Sequence, residues 1–496
     1  MSVKAFALST TICLTLLAAS AAQAQTLPTT GAVNTRFGKL ELVNGFPTTE
    51  TVRKVYDEMD FQRAVQVYLW ALPMMAMFEW QRQSHEVLGA DNLNYVDYFD
   101  FRDKLGILTA NATTPYAQAF PNMKDTGPLV VEIPPGPTAG GILDFWQRPL
   151  TDTGQTGPEK GAGAKFLVLG PDHPDMKPDG YIVVRSPTWN IWSGQRGVGE
   201  DIEKAKQLMA SLRIYPYAQR DNPLAAKPVR PGDKKWSAAQ PRGLDYWRGL
   251  AKMVNEEPAI ERDRLMLAML KPLGIEKGKP FNPDDRQAAI LSEAALVGEV
   301  MARANSYAKR FDGSQVWSNK RWEFSLFLQN VTQEAKNYTQ LDERGSWFYE
   351  AVGVTEGMLG RTVGFGQVYL ESQKDKDGNW LDGAKTYKLT VPTNAPVAQF
   401  WSFSVYDNET RCLIDTGSHP DRSSRDDIVK NADGTVDLYF GPKAPAGKEK
   451  NWIQTVPGKG WFTYFRLYGP TQPFFDRSWA LNDIEEVGAT TTATSK

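Results

Sequence analysis

The sequence predicts a multidomain α+β protein in which two β-rich domains are joined by a mainly helical segment. Short apolar runs broken by Gly and Pro fill residues 95–196 and return after residue 360, which is typical of strands connected by turns. Between these regions apolar residues recur every three or four positions, the spacing of an amphipathic helix. A chain of 496 residues is long enough for two or three domains, each with its own core.

The first residues have the pattern of a secretory signal peptide. Lys4 gives a positive start, an apolar stretch follows, and Ala22-Gln23-Ala24 matches the small-x-small site that signal peptidase cuts. The apolar stretch is shorter than the roughly 20 residues that span a bilayer, which argues against a membrane anchor. We therefore expect cleavage after Ala24, export to the periplasm and no membrane span in the mature chain.

Helices follow from apolar spacing and from start signals. Apolar residues three and four positions apart predict a helix over 51–88, which Pro73 is expected to kink or break. A buried helix is expected around Leu265–Leu270. A longer helix should begin at Asn282, an N-cap residue followed by a proline, and run to about Arg310.

Strands are predicted where apolar runs are bounded by Gly, Pro or Asp-Gly turns. The strongest are Leu129–Ile133, Gly141–Trp146, Lys165–Leu169, Tyr181–Arg185, Val363–Glu371, Tyr387–Val391, Phe400–Tyr406, Thr435–Phe440 and Trp461–Leu467. Alternation within Phe400–Tyr406 should place Trp401 and Phe403 on one face and Ser404 and Tyr406 on the other. Arg466 and Tyr468 should likewise share one face of the last strand.

The domain boundaries follow these changes of pattern. They are a signal peptide at 1–24, an irregular lead at 25–50, a helix plus β domain at 51–200, a mainly helical region at 201–350, a C-terminal β domain at 351–487 and a disordered tail at 488–496. Cys412 would be the single cysteine of the mature chain, so no internal disulfide could form.

Composition narrows the classes of partner. The sequence has 56 basic and 58 acidic residues and no block of Lys or Arg, so neither nucleic acid nor an anionic membrane is expected. The 15 Trp, 18 Tyr and 23 Phe could fill cores or line a ligand site. A small-molecule ligand is therefore the expected partner, and a homo-oligomer stays open.

The motifs of common metal and cofactor enzymes are absent from the sequence. Its three histidines, His85, His173 and His419, are far apart and show no ligand spacing. There is no G-x-S-x-G nucleophile motif, no P-loop and no complete dinucleotide-binding fingerprint. We therefore expect no bound metal and no cofactor.

Two segments of the N-terminal β region combine polar and aromatic residues. Asn111–Tyr116 could be a ligand-binding segment or a simple Asx turn that leads into a strand. Asp144, Trp146 and Arg148 would share one face of a strand, with Asp152 following. They could line a pocket, but an Asp–Arg pair and a Trp that hold a loop would give the same pattern.

These segments resemble an exported bacterial family with paired domains of unknown function. The resemblance to the N-terminal domain, numbered 1254, rests on Asn111–Tyr116, Asp144–Gln147, Thr153–Pro158 and Arg185–Thr188. The resemblance to its usual C-terminal partner, numbered 1214, rests on Phe400–Arg411, Asp437–Pro442, Lys448–Trp452, Pro457–Phe462, Arg466–Pro470 and Asp483–Glu485. It implies two antiparallel β-sandwich (jelly-roll-like) domains with a helical part, and it implies no reaction. Thr113 departs from the acidic residue that many relatives have there.

Three functions remain open on these grounds. The first is a periplasmic hydrolase or lyase acting on a small polar or aromatic molecule, with carboxyl groups as acid and base, an arginine as anion anchor and a tyrosine as proton donor. Its candidate catalytic residues are Asp144, Asp152, Tyr116 and Tyr406, and its candidate substrate-binding residues are Asn111, Trp146, Arg148, Arg466 and Tyr468. The second is a non-catalytic protein that binds a glycan or metabolite. The third is a structural envelope protein. Convergence of the candidate residues in one pocket would favour a ligand.

Overall fold

The computed structural model describes residues 26–223 and 225–488. The expected signal peptide with its cleavage site, and residues 489–496 of the expected tail, lie outside these residues. The chain divides into two compact units, residues 1–59 and 60–496.

The first unit contains a small antiparallel sheet of β1 (Gly31–Thr35), β2 (Gly38–Val43) and β3 (Phe46–Pro47). The prediction of an irregular segment at 25–50 is therefore wrong. Asn44 and Gly45 join β2 to β3, and both have a positive φ. Asn-Gly is the residue pair that favours this kind of tight hairpin turn, so the sequence itself indicated a hairpin here.

The described residues form eight α-helices. They are α1 (Thr49–Arg82), α2 (Met123–Thr126), α3 (Ile202–Ala210), α4 (Leu244–Glu256), α5 (Arg264–Leu270), α6 (Asp285–Tyr307), α7 (Leu341–Glu350) and α8 (Gln472–Phe475). α1 passes through Pro73 without a break, so the prediction of a break there is wrong. The residues on both sides of Pro73 are almost completely buried. Their packing therefore outweighs the roughly 3 kcal/mol that an internal proline costs a helix.

Two other helix predictions need correction. α5 is not a buried helix, because Leu265 is 69% exposed and Leu270 is its buried residue. α6 starts after Asp284, not after Asn282. The Asp284 side chain accepts the N–H of Gln287, and the Gln287 side chain accepts the N–H of Asp284. This reciprocal capping box satisfies two backbone donors and fixes the start of the helix.

Nine strands lie between residues 96 and 216, in two sheets. The first sheet has the order β4-β5-β11-β7-β8 and the second the order β10-β9-β6-β12, with antiparallel neighbours except for the parallel pair β9–β10. The strands are β4 (Val96–Tyr98), β5 (Tyr116–Ala119), β6 (Leu129–Ile133), β7 (Thr138–Asp144), β8 (Pro149–Gly154), β9 (Ala164–Leu169), β10 (Ile182–Arg185), β11 (Ile191–Gly197) and β12 (Arg213–Pro216). Residues from both sheets, among them Ala117, Ile142 and Phe166, share one apolar core.

The remaining strands form a third and a fourth sheet. Their orders are β13-β14-β20-β16-β17 and β19-β18-β15-β21, again antiparallel except for the pair β18–β19. The strands are β13 (Glu323–Phe324), β14 (Gln367–Ser372), β15 (Tyr387–Val391), β16 (Val397–Asp407), β17 (Asp421–Ser423), β18 (Val436–Gly441), β19 (Trp452–Gln454), β20 (Trp461–Pro470) and β21 (Glu485–Glu486). Leu389, Phe403 and Phe465 belong to the apolar core that these sheets share.

The predicted mixed α+β fold with several antiparallel sheets is confirmed. The predicted strands Leu129–Ile133 and Tyr387–Val391 coincide with β6 and β15. The strand expected to continue through Trp146 is wrong: β7 ends at Asp144, and the chain turns there because Gln147 has a positive φ of 62°. Within the part of the chain that the structure covers, no helix is both long and apolar enough to cross a membrane.

Candidate functional site

The third sheet has one apolar face and one polar, aromatic face, and both are buried. On β16, Phe403 enters the apolar core, while Ser404 and Tyr406 lie on the opposite face. On β20, Phe465 enters the same core and Arg466 lies on the polar face. Successive strand residues point to opposite faces, so the alternation in the sequence produces this arrangement directly.

The first sheet presents a matching polar face. Tyr116 and Gln118 on β5 pair with Arg196 and Gly194 on β11, which places all four on one face of the sheet. Trp192 precedes Gly194 by two residues and shares that face. Gly194 is needed there, because a Cβ built on it would overlap the indole of Trp192 and the amide of Gln118.

The two polar faces line one cavity. Its volume is about 70 Å³, counted as the space open to the centre of a water molecule. One water needs about 10–15 Å³ of such space, so the cavity has room for several waters or a small ligand. Both sheets supply charged and aromatic lining residues, Tyr116, Trp192 and Arg196 from the first and Tyr369, Tyr464 and Arg466 from the third.

Arg466 is a buried arginine whose guanidinium group is only partly hydrogen-bonded within the described chain. It is 3% exposed, and it donates from Nη1 to Ser404 Oγ at 3.1 Å and from Nη2 to the carbonyl of Thr109 at 2.8 Å. Its guanidinium carbon lies 5.0 Å from the ring centroid of Tyr464 and 5.5 Å from that of Tyr369. Its Nε has no hydrogen-bond partner among the described residues.

Arg196 is surrounded by neutral groups. Its Nη2 lies 3.9 Å from the sulfur of Met358, its guanidinium carbon lies 5.7 Å from the ring centroid of Tyr116, and Tyr369 is a further polar neighbour. Neither Arg196 nor Arg466 forms an ion pair with a carboxylate in the described ranges, and their main electrostatic neighbours are tyrosines. A guanidinium stays protonated at every biological pH, so the cavity holds two positive charges.

The cavity also contains polar atoms that bond to nothing in the described chain. They are Gln118 Oε1, Trp192 Nε1, Gln195 Nε2 and Arg466 Nε, on side chains that are 4%, 8%, 1% and 3% exposed. Buried polar groups are nearly always hydrogen-bonded, and exceptions call for an explanation. One acceptor and three donors around one cavity are therefore available to a ligand.

Five of the residues singled out from the sequence come together around this cavity. Tyr116 and Arg466 line it, and the ring of Tyr406 lies 5.7 Å from the Arg466 guanidinium carbon. Asn111 donates from Nδ2 to the hydroxyl of Tyr468, and its backbone N–H donates to the hydroxyl of Tyr116 at 3.0 Å.

The Asx turn expected as one alternative for Asn111 is also present. Its Oδ1 accepts the backbone N–H of Thr113 at 2.6 Å and that of Thr114 at 3.2 Å. Lys104 supports the same loop, because its buried Nζ donates to the carbonyl of Thr114 at 2.6 Å. The segment thus joins a turn to the rim of the cavity.

Asp144, Trp146 and Arg148 lie elsewhere. Asp144 Oδ1 accepts the backbone N–H of Arg148 at 2.9 Å, and Arg148 pairs with Glu334 at 2.7 Å. The ring of Trp146 packs 4.5 Å from that of Trp70. Burial raises the pKa of Asp144 to about 6. This is the loop-holding arrangement that the sequence left as an alternative.

Asp152 supports the wall of the cavity from outside. It accepts the backbone N–H of Glu356 at 3.1 Å and that of Gly357 at 3.2 Å. Burial raises its pKa, and these two hydrogen bonds oppose that shift. The neighbouring residues Thr355 and Met358 line the cavity. Among the described residues that line the cavity there is no carboxylate and no histidine.

The lining residues that sequence reasoning missed are Gln118, Trp192, Arg196, Tyr369 and Tyr464. The missed signal was the alternation of side chains along a strand. Gln118 follows Tyr116 by two residues, and Trp192 and Arg196 each lie two residues from Gly194, so each set shares one face of its strand. Register between β5 and β11, which a single sequence does not reveal, was needed to bring them together.

Thr113, the residue that departs from the family pattern, bonds to a buried carboxylate. Its hydroxyl donates to Asp421 Oδ2 at 2.9 Å, and Asp421 Oδ1 lies 2.5 Å from His419 Nδ1. Asp421 raises the pKa of His419 against the opposing effect of burial. Within the described residues no group of three His, Cys, Asp or Glu side chains is placed to hold a metal ion.

Two larger depressions are open to solvent. One, of about 630 Å³, is lined by aromatic rings that include Phe311 and Phe474, and the other, of about 530 Å³, is lined by Trp236 and Lys459. Lys459 already pairs with Asp407 at 2.6 Å. The cavity between the first and third sheets is the stronger candidate, because Arg466 is buried there and neither Arg466 nor Arg196 pairs with a carboxylate in the described chain.

One solved structure shows a similar fold. The crystal structure of the VPA0106 protein from Vibrio parahaemolyticus matches with a TM-score of 0.54 and 16% identity, over 86% of this chain and 100% of that one. The crystal structure of an uncharacterised protein from Burkholderia cenocepacia gives a TM-score of 0.38 at 13% identity, over 88% of this chain and 96% of that one. At such identities the first likeness shows the fold alone.

Two family models match the two parts of the chain that supply the arginines of the cavity. The model of a protein family of unknown function (DUF1254) matches residues 92–216, which contain Arg196. The model of a second family of unknown function (DUF1214) matches residues 366–472, which contain Arg466. No curated protein matches the chain. The resemblance to the two domains seen in the sequence is thus confirmed: the chain carries an N-terminal DUF1254 match followed by a C-terminal DUF1214 match.

Proposed function

We propose that this protein binds a small oxyanion, such as a short-chain carboxylate, in the cavity between its first and third sheets. The observation that carries the proposal is a pair of guanidinium groups, those of the buried Arg466 and the half-buried Arg196, which have no carboxylate partner in the described chain. Burying an unpaired charge is costly, so an anionic ligand supplies the missing compensation. Guanidinium groups also match carboxylate geometry through paired N–H donors.

Binding is better supported than hydrolysis or elimination. A hydrolase or lyase would need an acid and a base beside the ligand, and Asp144 and Asp152 lie outside the cavity. Burial raises the pKa of Tyr406 to about 12 and that of Tyr464 well above its ordinary value, which makes both slow proton donors near neutral pH. Tyr116 is the remaining candidate proton donor, since it lines the cavity and its hydroxyl accepts an N–H from Asn111.

We further propose that the chain forms two β-sandwich domains and acts in the periplasm. The first and second sheets share one apolar core and the third and fourth another, which supports two β-sandwich domains of jelly-roll type. The signal-peptide pattern that ends at Ala24 supports action in the periplasm of a bacterium. Osmotic-shock fractionation of the source cells tests the location, and recovery of uncleaved chain in the cytoplasm would contradict it.

Calorimetric titration and thermal melting in chloride-free buffer test the binding. Formate, acetate, phosphate and sulfate serve as probes, with acetamide as the neutral control. Arg196→Gln and Arg466→Gln should each weaken anion binding at least tenfold. Arg248→Gln removes an arginine that is 62% exposed and should change nothing. Equal binding by all four proteins, or no anion binding by the wild type, would refute the proposal.

A further inference from the structure

The unpartnered atoms of the cavity define the hydrogen-bonding pattern of its ligand. Arg466 Nε, Trp192 Nε1 and Gln195 Nε2 are donors, so they need acceptors on the ligand. Gln118 Oε1 is an acceptor, so it needs a donor on the ligand. A plain carboxylate has acceptors only and would leave the Gln118 oxygen buried without a partner.

We infer that the ligand is a short hydroxycarboxylate, an inference that rests on the proposed anion-binding function. Its carboxylate lies against Arg196 and Arg466, and its hydroxyl donates to Gln118 Oε1. The hydroxyl oxygen can at the same time accept from Trp192 Nε1, because the side chains of Gln118 and Trp192 meet above Gly194. A single hydroxyl thus satisfies one acceptor and one donor.

Charge excludes the other common donor, an ammonium group. An amino acid would bring a positive charge next to the two guanidinium groups, and no carboxylate lines the cavity within the described chain. Glu350 lies behind Tyr464, but its carboxylate already accepts hydrogen bonds from the hydroxyls of Tyr464 and Ser306. A neutral hydroxyl supplies the donor without that repulsion.

The space open to a ligand in the cavity is modest. It offers about 70 Å³ to the centre of a water molecule, and the large buried rings of Trp80 and Trp347 form part of its wall. Two- and three-carbon acids such as glycolate and lactate are therefore the first ligands to test.

Matched pairs of ligands test the inference on the intact protein by calorimetric titration. Glycolate is compared with acetate, lactate with propionate, pyruvate with lactate, and glycine with glycolate. We expect each hydroxy acid to bind at least tenfold more tightly than its deoxy partner, because a site built around a hydroxyl leaves its own polar groups unpaired with the analogue. Pyruvate should bind more weakly than lactate, and glycine more weakly than glycolate.

Gln118→Met keeps a side chain of similar length and removes the acceptor. It should bring glycolate and acetate to equal affinity, and Gln219→Met, at an exposed position, should leave the preference intact. If acetate binds the wild type as tightly as glycolate, the inference fails and the proposed anion site stands. Tighter binding of pyruvate than of lactate, or of glycine than of glycolate, overturns the donor assignment. If no acid binds, the proposed function itself fails. The wild-type comparisons decide even if the fold does not tolerate methionine in place of Gln118.

Discussion

Arg196→Met should make the ligand-free protein more stable and abolish anion binding. Methionine keeps an unbranched side chain of similar length and removes the charge. The substitution gives up contacts with neutral groups only, a hydrogen bond with Tyr369 and the contact of Nη2 with the sulfur of Met358 at 3.9 Å, because the guanidinium has no carboxylate partner in the described chain. In return, the fold is released from the cost of keeping a buried cation without a counter-ion.

The size of both effects can be set out in advance. Replacing buried charges with apolar residues of similar volume stabilises other proteins by about 1–4 kcal/mol. Arg196 is partly exposed to the cavity, so we expect the lower part of that range, about 1–2 kcal/mol. A ligand at 100 times its dissociation constant stabilises the wild type by about 2.7 kcal/mol and the variant by nothing. Saturating ligand should therefore reverse the order of stability.

Urea unfolding with and without ligand, followed by tryptophan fluorescence, measures both effects. Arg248→Met is the control, and an exposed substitution of this kind should change the free energy of unfolding by less than about 0.5 kcal/mol. An Arg196→Met protein that is less stable than the wild type without ligand, and that acetate still stabilises, would refute the reasoning.

Three further predictions concern pH, space and helix capping. Burial raises the folded-state pKa of Asp97 from 3.8 to about 7, so its ionisation destabilises the fold. The free energy of unfolding should therefore fall as pH rises from 3.8 to about 7, and Asp97→Asn should flatten that part of a urea-midpoint profile. Gly194→Ala should cost about 1–3 kcal/mol through overpacking and abolish anion binding in titrations. Asp284→Ala should lower the urea midpoint by the equivalent of about 1 kcal/mol, with titrated anion affinity unchanged.

The fold could be predicted from the sequence where one local signal dominates. Leu129–Ile133 and Tyr387–Val391 are apolar runs bounded by turns, and both became strands without adjustment. Pro73 shows the opposite case. Proline does destabilise a helix interior, but here the packing of buried neighbours, which the local sequence does not reveal, outweighs that effect. The Asn44-Gly45 hairpin was readable and was missed among polar neighbours.

The candidate site was only half predictable for a related reason. Tyr116 and Arg466 stood out because polar and aromatic residues recur around them. Asp144 and Arg148 stood out equally, and the positive φ of Gln147 turned them away into a separate cluster. Local pattern identifies residues that need an explanation. Only register between strands far apart in the chain decides which of them meet.

The division of the cavity between two families gives the domain pairing a physical reason. Arg196 lies in the part of the chain matched by the DUF1254 model and Arg466 in the part matched by the DUF1214 model. Arg466 in turn donates to the carbonyl of Thr109, a residue from the DUF1254 side that has a positive φ of 40°. Such strain persists only where the surrounding structure enforces it. The two guanidinium groups come from separate domains, so an anion that binds both of them also stabilises the contact between the domains. Ligand binding and domain pairing would then be one property of the molecule, since neither half alone supplies both charges.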